Sequence, residues 1–185
     1  MTDQVDTIYG PVCLTNYQKA KNIRLLICDV DGVFSDGRIY MGNDGEELKT
    51  FHTRDGYGIK SLMNAGIEIA IITGRQSAIV ENRMTALGIK HIYQGQDNKI
   101  SAYNDIIANL NIDAEHTAYI GDDLIDWPVM EKIGLSVCVA DGHPLLAQRA
   151  DFVTRIQGGY GAVREVCDLI LEARGELDQH KGLSI

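Results

Sequence analysis

The sequence predicts an α/β protein with a parallel sheet covered by helices on both faces. Three observations carry this. Short apolar runs recur at 24–29, 68–73, 117–120 and 135–140. The first is a continuous run without polar alternation, as suits a central strand buried on both sides. Between the runs lie segments of helical periodicity, so strands alternate with helices and each crossover returns to a parallel neighbour.

The elements follow in order. Residues 1–22 read as a polar arm entering a short helix at Leu14–Lys21. The first strand, Arg24–Asp29, ends in Asp29-Val30-Asp31-Gly32. Asp36-Gly37 and Asn43-Asp44-Gly45 are turn signals, and Arg38–Met41 with Glu46–Phe51 flank the second as a β-hairpin. Its apolar residues fall on both faces, because Ile39 and Met41 point opposite to Tyr40. A lone hairpin is marginal in water. This one therefore packs on its own core or on another subunit.

Asp55–Ala65 suits a helix, with Gly66 as its C-cap. Glu68–Thr73 is a strand ending at Thr73-Gly74-Arg75, and Gln76–Leu87 a helix stopped by Gly88. Ile89–Tyr93 is a short strand. Lys99–Leu110 is a helix striped by Ile100, Tyr103, Ile107 and Leu110. Thr117–Ile120 is a strand that runs into Gly121-Asp122-Asp123. Leu124–Ile133 is a helix, Leu135–Ala140 a strand, Pro144–Arg149 a helix and Asp151–Thr154 a last strand. Gly161–Ala173 closes as a helix, and 175–185 is a tail.

At 185 residues and 45% hydrophobic, the chain is one domain, 1–185, with a full core. A formal charge of −9 argues against a nucleic-acid partner. No stretch approaches the ~18 apolar residues of a membrane span. Cys13, Cys28, Cys138 and Cys167 lack paired metal spacing and read as free thiols of a reducing compartment. The N-terminus shows no apolar segment of a secretory signal. The expected location is cytoplasmic.

The polar residues that need explaining gather where strands end, the place where open α/β sheets bind ligands. Asp29 and Asp31 repel each other, and burial makes each charge costlier. A divalent cation relieves both problems. One carboxylate can attack a phosphoryl group, and a second, two residues on, can protonate the leaving oxygen and then deprotonate water. Thr73, with the N–H groups of Gly74 and Arg75, either holds phosphate oxygens or caps the next helix. Lys99 opens a helix against the helix dipole, which suggests that it neutralises a phosphate or a carboxylate. Asp29, a backbone carbonyl at Asp31, and Asp122 make a suitable protein share for Mg²⁺. Asp123 and Asp126 orient waters or Lys99, or cap the following helix.

This order of Asp-x-Asp, Thr, Lys and Asp-Asp resembles the haloacid dehalogenase superfamily of phosphotransferases. DVDGV at 29–33, ITGR at 72–75, Lys99 and GDDLID at 121–126 look like its four motifs. The resemblance runs from Ile23 to about Ala173 and implies a Rossmann-like sheet. It makes Asp29 the nucleophile and Asp31 the acid/base. Thr73 and Lys99 become phosphoryl ligands, and Asp122 a Mg²⁺ ligand. Neither the stretch between Asp31 and Thr73 nor the one after Thr73 has room for a cap domain. The site is then open unless neighbouring subunits cover it.

Longer stretches, including DGRIYMGNDGEELKTFHTRDGYGIK and GGYGAVREVCDLIL, resemble the 3-deoxy-D-manno-octulosonate 8-phosphate phosphatases. These are tetrameric Mg²⁺ enzymes of lipopolysaccharide precursor synthesis. The resemblance implies that His52, Thr53, Arg54, Asp55 and Gly56, together with Gly74, Arg75, Arg83 and Lys99, contact phosphate or the sugar acid. The family often has Asn-Val where this chain has His52-Thr53. It also implies that the C-terminal segment reaches toward a neighbouring site. Forked Arg donors suit both a phosphate and a carboxylate.

Two rivals differ in kind. A related capless phosphatase would take a nonulosonate 9-phosphate. A phosphoacceptor signalling domain would share the layers, the Thr and the Lys. Such domains usually lack an Asp-x-Asp directly after the first strand, and they need no turnover.

Overall fold

The computed structural model of the chain describes residues 3–179. It begins with an antiparallel ribbon, β1 (Gln4–Thr7) and β2 (Gly10–Cys13), where the sequence reading has only a polar arm. The ribbon buries little of its own surface. Its stability comes from distant anchors, which a local pattern does not reveal. Val12 is buried in the core, and the Tyr9 hydroxyl donates to Asp168 Oδ2 at 2.8 Å.

Helix α1 (Leu14–Lys21) leads to β3 (Leu25–Cys28), the fully buried strand before Asp29. The expected hairpin shrinks to two residues a side, β4 (Tyr40–Met41) and β5 (Glu47–Leu48). Then come α2 (Thr53–Asn64), β6 (Glu68–Ile72), α3 (Ala78–Leu87), β7 (His91–Tyr93) and α4 (Lys99–Leu110). They are followed by β8 (Thr117–Gly121), α5 (Trp127–Met130), β9 (Leu135–Cys138), α6 (Pro144–Arg149), β10 (Phe152–Val153) and α7 (Ala162–Ala173).

Six parallel strands form the sheet in the order β10-β9-β8-β3-β6-β7. The chain builds outward from β3 through β6 and β7, then returns to the other side of β3 with β8. Beyond β3, where the winding reverses, a crevice is expected. Strand pleat splits the core in two. Leu26, Cys28, Ile69, Ile71 and Ile120 meet residues of α2, α3 and α7 on one face. Leu25, Ile27, Ala70, Ile72 and Tyr119 meet Tyr103, Ile106, Val129 and Leu146 on the other.

Of the boundaries that differ from expectation, those of α2 and α5 have clear local reasons. Helix α2 starts at Thr53, because the His52 imidazole Nδ1 accepts the Arg54 N–H at 3.1 Å and caps it. The helix expected at Leu124–Ile133 contracts to α5. Asp126 turns its carboxylate back to the N–H groups of Asp122 and Asp123, at 3.1 and 3.3 Å, and holds a loop there. The tail expected at 175–185 has a short 3-10 turn at Leu177–Gln179, and 180–185 lie outside the described residues.

Candidate active site

Strand register gathers the acids. Cys28 lies level with Ile71 on β6 and Ile120 on β8, so the residues that follow all leave the same edge of the sheet. The Asp29 N–H donates to the Ile120 carbonyl at 3.0 Å, which holds Asp29 at the strand end. Its Oδ1 accepts the Val30 N–H at 2.7 Å. Thr73, buried, follows β6 directly, with its N–H on the Tyr93 carbonyl at 2.9 Å.

Lys99, enclosed at the first position of α4, is the cation of this edge. Its Nζ lies 2.9 Å from Asp29 Oδ2 and 2.6 Å from Asp126 Oδ1. The Tyr119 hydroxyl donates to the same Asp126 oxygen at 2.7 Å and accepts from Lys99 at 3.3 Å. Asp126 is thus filled on both oxygens, by a lysine, a phenol and two amides. Tyr119 did not stand out in the sequence. A tyrosine inside a buried strand was the available signal, since its hydroxyl needs a partner.

Electrostatics mark the same cluster. Burial first, then the Asp126 charge, raises Asp29 to about 6, against the pull of Lys99. Burial, with Asp29 and Asp126 next, raises Asp122 to about 8. Burial opposes the Lys99 ammonium, but the two carboxylates outweigh it and its pKa rises. Gly32 makes the crowding sterically possible. Its φ is +87°, and a Cβ there would lie 2.1 Å from Asp122 Oδ2.

Oxygens of Asp29, Asp122 and Asp126 lie within 4.8 Å of one another. These are hard donors of the kind Mg²⁺ takes. With Asp126 already filled, Asp29 and Asp122 are the carboxylates left to share a dication. Burial first, and neighbouring carboxylate charge second, raise their affinity for protons. The residues fit the metal. The Asp31 side chain does not join them and lies instead against Lys49, as expected if only its backbone carbonyl faces the metal.

A second group lies beside the first. Asp31 Oδ1 is 2.6 Å from Lys49 Nζ, and Oδ2 is 4.0 Å from Arg75 Nε. Glu47 links this pair to α3. Its carboxylate lies 3.4 Å from Lys49 Nζ and 3.4 Å from Arg75 Nη2, and it accepts the Ser77 hydroxyl at 3.1 Å. Glu47 and Lys49 did not stand out in the sequence reading. Their i, i+2 spacing in a strand, which puts both on one face, was the signal.

The remaining predicted residues cluster at the start of α2. Thr53 and Arg54 are exposed, and His52 is half-buried in its capping role. The Arg83 guanidinium lies against Gly56, where a Cβ would come within 2.6 Å of Nη2. Asp55 is the exception. It is fully buried, and its Oδ1 accepts the Arg164 N–H of α7 at 2.8 Å. Its carboxylate faces the core rather than the crevice, and burial raises it to about 7. As placed, it joins α2 to α7, contrary to the substrate contact expected of it. Gly74 follows Thr73 at the open edge, half-buried.

Residues 89–164 match the haloacid dehalogenase-like hydrolase family model. The chain is 65% identical over 179 residues to 3-deoxy-D-manno-octulosonate 8-phosphate phosphatase KdsC of Escherichia coli K12, covering 97% of this chain and 95% of that one. The crystal structure of the Yersinia pestis 3-deoxy-D-manno-octulosonate 8-phosphate phosphatase superposes with a TM-score of 0.98, at 61% identity over 100% of both chains. That of the Moraxella catarrhalis enzyme, in complex with a magnesium ion, a phosphate ion and KDO, gives 0.86 at 47% identity. It covers 88% of this chain and 94% of that one. The chain belongs to the 3-deoxy-D-manno-octulosonate 8-phosphate phosphatase family of haloacid dehalogenase-like hydrolases.

Proposed function

We propose that this protein hydrolyses 3-deoxy-D-manno-octulosonate 8-phosphate to KDO and inorganic phosphate, a step of lipopolysaccharide precursor synthesis. The observation that carries the reading is the buried Asp29–Lys99 pair beside Asp122, in a family whose Moraxella catarrhalis member holds magnesium, phosphate and KDO.

Asp29 and Asp122, with the Asp31 carbonyl, hold Mg²⁺. When bound, the ion offsets the negative charge of the phosphoryl group and the carboxylates. Asp29 attacks phosphorus through a carboxylate oxygen. The ester P–O bond breaks, and the sugar oxygen keeps the electron pair and takes a proton from Asp31. A water then attacks the aspartyl-phosphate at phosphorus while Asp31 takes back a proton, and Asp29 is regenerated. Lys99 holds Asp29 in place and offsets charge on the transferring group, to which Thr73 and the Gly74 N–H also donate. Arg75 and Arg83, with His52, Thr53, Arg54 and Gly56 around them, receive the sugar acid.

The protein works as a single domain, 1–185, assembled as a homotetramer. Tyr40, Met41 and Leu48 of the β4–β5 ribbon are exposed together, and a second copy would cover them. No helix among the described residues is long and apolar enough to cross a membrane. Four free thiols, three of them buried, suit the cytoplasm.

Phosphate release from a panel of sugar phosphates, with Mg²⁺ and after chelation, tests the reading. Many turnovers on 3-deoxy-D-manno-octulosonate 8-phosphate, stopped reversibly by chelation, are expected. Preference for a nonulosonate 9-phosphate would move the substrate assignment. One phosphoryl group taken up without turnover would indicate a phosphoacceptor.

A further inference from the structure

Lys49 is unusual for a lysine on a short surface ribbon. Its side chain is completely enclosed, while Leu48 beside it is 57% exposed. The pleat explains the direction: Glu47 and Lys49 face the catalytic loop, and Leu48 faces away. Enclosing a lysine costs side-chain entropy and hydration, so the site must return something.

What it returns is a fixed Asp31. Lys49 Nζ takes Oδ1 at 2.6 Å, leaving Oδ2 turned toward Arg75. The lysine is itself braced. Glu47, two residues earlier, holds it and is held in turn by Ser77 and Arg75. Ser77 precedes α3, where its hydroxyl would ordinarily cap the helix, yet it makes no capping bond and reaches Glu47 instead.

We propose that Lys49 is a positioning residue for Asp31: the ribbon delivers its ammonium to one carboxylate oxygen and thereby aims the other at the leaving oxygen of the substrate. The inference rests on the phosphatase reading above, with Asp31 as acid/base. In the step it serves, the ester P–O bond breaks, the electron pair stays on the sugar oxygen, and the proton on Asp31 Oδ2 moves to that oxygen.

The test uses two esters. The sugar phosphate leaves as an alkoxide and needs the proton. Para-nitrophenyl phosphate leaves as a stable phenolate and scarcely needs it. For Lys49→Met, kcat/KM on the sugar phosphate should fall at least about 10-fold further than kcat/KM on the aryl phosphate, because kcat/KM reports the P–O bond-breaking step, where general-acid help matters only for the poor leaving group, and not the later hydrolysis that both esters share. Lys49→Arg should recover much of that difference. In an Asp31→Asn background, Lys49→Met should add little, since the two residues act as a unit. Equal losses on both esters, or losses that multiply in the double variant, would overturn the proposal and leave Lys49 as packing for the ribbon. A wild-type protein that does not turn over the sugar phosphate, or an Asp31→Asn variant with no leaving-group dependence, would instead defeat the underlying reading.

Discussion

Lys99 Nζ sits 2.9 Å from Asp29 Oδ2, and both side chains are nearly closed to water. The pair joins the start of α4 to the end of β3, and it gives the buried Asp29 and Asp126 carboxylates a shared cation. Removing the ammonium would leave Asp29 and Asp126 as buried charges without a cation.

Lys99→Met should therefore destabilise the metal-free protein by about 3–5 kcal/mol, the usual cost of breaking a buried pair from one side. Turnover should be lost with it. Urea unfolding in chelator, read alongside phosphate release, checks both. A variant as stable as wild type would show that the Asp29–Lys99 contact contributes little.

Tyr119→Phe isolates a smaller part of the same network. It removes one donor from Asp126 Oδ1 and leaves Lys99 in place. The expected loss is about 1.5–3 kcal/mol, that of a hydrogen bond to a charged acceptor. Denaturant midpoints at constant m-value measure it.

The acids also set a pH dependence. In the unfolded chain an Asp titrates near about 3.9. Folding raises Asp29 to about 6 and Asp122 to about 8, chiefly through burial. The folded protein thus binds protons more tightly, and this contribution to stability is complete below the unfolded value. It is lost as pH rises through about 6 and then about 8. Mg²⁺ binds the ionised forms, so its stabilising effect should grow over the same interval. Thermal unfolding with Mg²⁺ and with chelator, at a series of pH values, should show a widening gap. A gap that narrows with rising pH would contradict the assignment.

The ribbon makes a prediction about assembly. Met41→Asp with Leu48→Asp places charges on the exposed apolar face while leaving Glu47 and Lys49 untouched. On the proposed homotetramer, the double variant should sediment as a smaller species than wild type at the same concentration. Sedimentation or light scattering decides this. An unchanged mass would place the interface elsewhere.

Much of this is legible in the sequence, for a physical reason. Buried parallel strands such as Leu25–Cys28 and Thr117–Gly121 announce themselves as apolar runs, and the acids at their ends violate that pattern locally. What stayed hidden depends on contacts distant in sequence. The β1–β2 ribbon is held by Asp168 and the core, not by its own alternation. Lys49 looks like any hairpin lysine until Asp31, eighteen residues earlier, is brought against it. Asp55 sits in a stretch similar to a substrate loop, yet α7 claims its carboxylate through the Arg164 N–H.

The most direct test is to quench the enzyme during turnover, reduce with labelled borohydride, and map the modified peptide. An acyl phosphate is reduced at its own side chain, so the account predicts labelled homoserine at position 29 and none in Asp29→Asn. Label on any other carboxylate, or steady turnover with no labelled peptide at all, would contradict it.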